Sequence, residues 1–258
     1  MPAETNSRTD VHRQSVADRR ASFMKTAQQQ VEESAAEEKP FVARHINMCQ
    51  VEKLTALFEK YFDVDKDGFI TENDVESLNE KIFDYTAWDR EDPKARKLVE
   101  YHNDLFKCLL AEINKDVQAE SFRKTEISLD NWLKMWDQNM NRALAIFHLP
   151  QWVQVLPWNM FTFIDKYSRG HVTKQNLFEF YTDFMLLDDK RGKVVADNAW
   201  SQMTGNGDFK LTMDVYSMAF SNFLFAKNSY GPGLFILGTF EECVKMRGFK
   251  FDYRDVED

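Results

Sequence analysis

The chain is short of the residues that punctuate structure: 9 glycines, 6 prolines and 3 cysteines in 258 positions. So few turn formers argue against a coil-rich β-sandwich, which needs many tight connections. Cys49, Cys108 and Cys243 are odd in number and widely spaced, with neither a C-x-x-C pair nor a Cys/His cluster. That excludes a disulfide framework and a zinc site and leaves small core residues or free thiols. No apolar run approaches the roughly 18 residues of a membrane span. Residues 1–14 lack the apolar centre of a signal peptide, and residue 2 is proline, which excludes the glycine-linked myristoyl anchor. With a net charge of -9 there is no concentrated basic face for nucleic acid. Hydrolase, metalloprotease, Walker and dinucleotide glycine motifs are missing too, and the five histidines are scattered, so no enzyme is indicated. The expectation is a soluble cytoplasmic protein without a nucleic-acid partner.

What the chain does have is bulk: 22 Phe, 11 Met and 6 Trp. These fall at helical spacing and predict an all-α fold. Val51, Leu54, Leu57, Phe58, Tyr61 and Phe62 form one stripe, ending at an acidic, glycine-containing segment. Further stripes centre on Leu98 to Leu109, on Trp158, Phe161 and Ile164, and on Val195 and Ala199. Each leads through a short polar loop into a second stripe: Val75, Leu78 and Ile82; Trp132, Met135 and Trp136; Leu177, Phe180 and Phe184; Tyr216, Phe220 and Phe223. A fourfold helix-loop-helix repeat follows, and a repeat fixes architecture more firmly than propensity does. The expected organisation is a polar extension at 1–40, a first pair of units at 41–140, a second pair with degenerate loops at 141–228, and an apolar tail with an acidic end at 229–258. Within the extension Val16, Arg20, Phe23, Met24, Ala27 and Val31 lie near helical spacing. Two readings stay open there: a solvated tail, or a helix that docks on a protein partner or on the domain itself.

Residues 63–74 carry the chemistry. Asp63, Asp65, Asp67, Thr71 and Asp74 place oxygen donors at loop positions 1, 3, 5, 9 and 12, with Gly68 at the sharp turn of position 6. A hard divalent cation takes six to eight oxygens, and this spacing gathers short carboxylates and one backbone carbonyl, that of Phe69, around one centre. Asp63, Asp65 and Asp67 are read as side-chain ligands, Thr71 as a direct or water-mediated donor and Asp74 as the closing carboxylate. Glu is usual at the closing position, and the shorter Asp narrows discrimination against magnesium. Ile70, at position 8, is expected to pair with its counterpart in a neighbouring loop.

Placing Ile127, Val172 and Leu211 at position 8 gives three more frames, 120–131, 165–176 and 204–215. All have lost the ligand set. Counting the loop at 63–74 as the first, the second has Phe122 and Lys124 among its ligand positions and Asn131 at its end; the third has Tyr167, Arg169 and Asn176; the fourth begins with Thr204 and closes on Val215. In the middle frame Arg169 is expected to set its guanidinium against Asp165 in place of a metal. Ile70 should pair with Ile127, and Val172 with Leu211, giving two lobes.

With these features the sequence resembles the EF-hand superfamily over roughly residues 50–226, and within it the sarcoplasmic calcium-binding proteins and calexcitin. The long interval from Asp63 to Glu120, the Asp closing the first loop and the run from Tyr230 to Gly238 carry that likeness. The loop itself is read as taking Ca2+ with Mg2+ as competitor, and the resemblance implies a compact globular molecule with a cytosolic buffering or signalling role. Two other readings are a structural interaction protein in which the metal only stabilises the fold, and a carrier of an aromatic small ligand.

Overall fold

A computed structural model describes residues 41–115, 117 and 123–238. The readings made for residues 1–40, for Glu120 and Phe122, for Cys243 and for the acidic end lie outside the described residues. Chain contacts separate Met1–Pro40 from Phe41–Asp258, and the description concerns the second unit.

Eight α-helices are present among the described residues: α1 (Met48–Leu57), α2 (Glu72–Thr86), α3 (Pro93–Ile113), α4 (Leu129–Met140), α5 (Gln151–Ile164), α6 (Lys174–Glu179), α7 (Asp189–Thr204) and α8 (Met213–Phe225). Local chemistry sets where most of them begin. Asn47, Thr71, Asp92, Ser128, Thr173 and Asp188 each accept a hydrogen bond from a first-turn amide, a cap worth about 1 kcal/mol. Pro93 adds a preset φ at the first position of α3. The units are therefore α1–α2, α3–α4, α5–α6 and α7–α8. No helix among the described residues is long and apolar enough to cross a membrane.

Two short antiparallel contacts join the units in pairs. Strand β1 (Phe69–Ile70) lies against β2 (Ile127–Ser128), with Ile70 opposite Ile127. Val172 bridges Leu211 in the same sense, its amide donating to the Leu211 carbonyl at 2.9 Å. All four position-8 side chains are buried, so each bridge satisfies backbone polar groups while closing the core over them.

The aromatic stripes meet in a continuous core. Trp132 packs edge-on against Phe58, Phe62 and Trp136, and Tyr61 stacks on Phe163. Polar side chains, of which Gln50 and Lys53 are buried, then tie α1 to the end of α8. Asn47 Nδ2 donates to the Lys227 carbonyl at 2.7 Å, Gln50 Nε2 to Leu224 at 3.0 Å and Lys53 Nζ to Ala226 at 2.6 Å. Last-turn carbonyls of a helix have no partner within it, and a cation there also meets the negative end of the helix dipole. On the other side of the entry to α1, Asp137 accepts the amides of Arg44, His45 and Ile46. Finally, a 3-10 turn (Pro232–Phe235) buries Phe235, Ile236 and Leu237. Gly233 is required there, because a Cβ would lie 2.1 Å from the Phe223 backbone nitrogen.

Candidate metal centre

The first loop starts where α1 ends. The helix widens over Phe58–Phe62 into a π turn, and the Asp63 amide donates five residues back to Phe58 at 2.9 Å. Single π turns recur at functional sites because they re-aim the next side chain. Lys66 and Gly68 then take left-handed φ values of 66° and 89°. At position 68 that conformation suits glycine. Lys66 tolerates it while its Nζ donates to the Asp63 carbonyl at 2.8 Å.

These turns fold three carboxylates inward. Asp63, Asp65 and Asp67 each present an oxygen within 4.8 Å of the other two. Loop amides orient them: Gly68 donates to Asp63 Oδ2 at 3.2 Å, Asp67 to Asp65 Oδ1 at 3.2 Å and Phe69 to Asp67 Oδ1 at 2.8 Å. Asp63 is only 3% exposed, and its Oδ1 is buried with no hydrogen-bond partner in the protein. A buried carboxylate oxygen without a partner is costly unless a cation answers it. The residues present therefore fit a hard divalent ion, which Asp63, Asp65 and Asp67 would hold with help from the Phe69 carbonyl.

The other two side chains read as donors are hydrogen-bonded within the loop. Asp74 Oδ1 accepts from the amides of Val64 (2.8 Å) and Asp65 (3.3 Å), and its Oδ2 from the amide (2.9 Å) and hydroxyl (2.8 Å) of Thr71. Thr71 is thereby engaged in the cap of α2.

The third frame supplies an internal control. Ser168 and Gly170, at positions 4 and 6, repeat the left-handed φ values, 54° and 75°. Asp165 is 4% exposed, as deeply placed as Asp63. Here, however, both oxygens are satisfied by the loop itself, Oδ1 by the Arg169 amide at 3.0 Å and Oδ2 by the Gly170 amide at 2.8 Å. The expected guanidinium contact is replaced by this backbone one. Arg169 instead lays its guanidinium over the Tyr167 ring at 5.0 Å, where the aromatic face attracts it at little desolvation cost.

No protein-family model matches the chain, and no curated protein matches it in sequence. Solved structures match in three dimensions. A sarcoplasmic calcium-binding protein from amphioxus aligns with a TM-score of 0.61 at 19% identity, over 76% of this chain and 99% of its own. The fold is that of the EF-hand proteins. The coelenterazine-binding protein of Renilla muelleri, in its calcium-loaded apo form, aligns with a TM-score of 0.52 at 16% identity, over 76% and 100% of the two chains.

The remaining two loop frames are held by the chain's own groups. In the second, Lys124 donates to the Asn131 side chain at 3.1 Å, so a cation of the chain itself meets the closing position. In the fourth, the buried Thr204 hydroxyl accepts from the Gly207 amide at 2.8 Å and donates to the Trp200 carbonyl at 2.5 Å. A neutral group there does locally what a carboxylate does in the first loop.

One polar cluster was not foreseen from sequence. Buried His102, on α3, places Nδ1 2.6 Å from Asn79 Oδ1 on α2 and Nε2 3.1 Å from Asn159 Oδ1 on α5, while the Tyr61 hydroxyl donates to the same Asn159 oxygen at 2.9 Å. Burial pushes the imidazole down to about 4, against a weaker upward pull from its Asn159 hydrogen bond. His102 lies within the apolar stripe of α3, and that placement was the only available signal.

Proposed function

We propose that this chain is a calcium-binding protein with a single working loop at residues 63–74, acting in the cytoplasm as a calcium-responsive binding protein or buffer, with magnesium as competitor. The observation that carries this is the contrast between Asp63 and Asp165: equally buried at the same loop position, one keeps an unanswered oxygen and the other does not. The amphioxus and Renilla proteins, described as calcium-binding and calcium-loaded, support the choice of ion. Native mass spectrometry in calcium and in magnesium should count one ion per chain. Asp63→Ala with Asp67→Ala should abolish it; an undiminished count in that double variant defeats the proposal.

A second reading is favoured by the three side chains that clamp α1 to the end of α8. Here the ion stabilises the fold while residues 1–40 engage a protein partner. Hydrophobic-dye binding separates the two, since a calcium-dependent rise belongs to the responsive reading alone.

A further inference from the structure

The closing residue of the loop does a different job from the one its position suggests, an inference that rests on the calcium-binding reading above. An ionised carboxylate offers about four lone-pair sites. At Asp74 all four are used: two by the amides of Val64 and Asp65, two by the amide and hydroxyl of Thr71. The side chain is 1% exposed, so water does not compete for it. Asp63 is the opposite case, with one oxygen held by Gly68 and the other left over.

The degenerate loops show the same arrangement without any prospect of a metal. Asn176, at position 12 of the third frame, accepts from the amide of Thr173 at 3.1 Å and from its hydroxyl at 2.7 Å. Asn131, at position 12 of the second, accepts from the hydroxyl of Ser128 at 3.0 Å. In three loops of one chain, position 12 takes its hydrogen bond from the hydroxyl at position 9. Twice a neutral amide suffices.

We propose that Asp74 is the brace of the first loop and not a ligand of its ion. It pins the start of the loop, Val64 and Asp65, to the start of α2, and the ion is left with Asp63, Asp65, Asp67, the Phe69 carbonyl and water. A small protein ligand set completed by water suits magnesium, which prefers six oxygens and gives up water reluctantly, as well as it suits calcium. It also means that ion entry draws no carboxylate away from α2.

Terbium luminescence on the full chain tests this. Lifetimes in light and heavy water count the waters on the bound ion, and about three or more are expected, because few protein oxygens reach it. Two or fewer would overturn the proposal while leaving the metal-binding reading intact; no bound ion at all would overturn both. As a second measurement, Asp74→Asn should keep calcium affinity within about tenfold, since an amide braces the third loop, whereas a closing ligand would cost more than that. Should Asp74→Asn fail to fold, the water count on the unaltered chain decides alone.

Discussion

Removing Asp165 tests the proposal that the first loop alone holds the ion. Its two oxygens answer only the amides of Arg169 and Gly170, so Asp165→Ala should cost about 1–3 kcal/mol of stability through the orphaned donors and leave the ion count unchanged. Chemical denaturation beside native mass spectrometry measures both. His102 makes a pH prediction. Held down to about 4 in the folded chain, it stays neutral where the unfolded chain, titrating near 6.5, already binds a proton. Its contribution is therefore complete above about pH 6.5 and is lost as pH falls toward 4, by on the order of 3 kcal/mol at the lower end. His102→Gln should flatten that part of the stability profile, and an unchanged slope would remove His102 as the cause. At this scale the clustering of Asp63, Asp65 and Asp67 was legible, because spacing alone brings oxygens at positions 1, 3 and 5 to one point. The partners of those oxygens were not. Whether Arg169 answers Asp165 with its guanidinium or its amide depends on a ring, Tyr167, that competes for the same cation.

Helix stripes and caps are written into consecutive residues, so the four units could be read from periodicity. The ties between units could not, because Lys53 and Ala226 are 173 residues apart and nothing local marks them as partners. Shortening that tie should be felt. Lys53→Ala deprives the Ala226 carbonyl of a charged donor, and a loss of roughly 1–3 kcal/mol is expected by urea denaturation. Gly233→Ala tests the neighbouring segment. Its new Cβ would overlap the α8 backbone at Phe223, and because backbone gives way less easily than a side-chain tip, the loss should reach or exceed that of an overpacked core, about 1–3 kcal/mol. An unaltered denaturation midpoint in either variant would show that the contact does not bear on stability.

Across the molecule, ion binding and folding should be coupled. A ligand that binds only the folded state stabilises it by about 2.7 kcal/mol at a hundred times its dissociation constant. Calcium should therefore raise the melting temperature of the unaltered chain and leave that of Asp63→Ala with Asp67→Ala in place. A calcium-dependent shift that persists in the double variant would point to an ion held elsewhere.

The third loop keeps its backbone almost as the first has it, with left-handed residues at 168 and 170 and an aspartate seated at its start. What differs are side chains on the outside of a shared mould, Tyr167 being more than half exposed. Shape is thus present without the side chains a metal needs, and supplying them should add a site. Tyr167→Asp with Arg169→Asp would offer an incoming ion two further carboxylates, and a second ion per chain should then appear in native mass spectra. A count that stays at one would mean that Asp165 does not release the Arg169 amide.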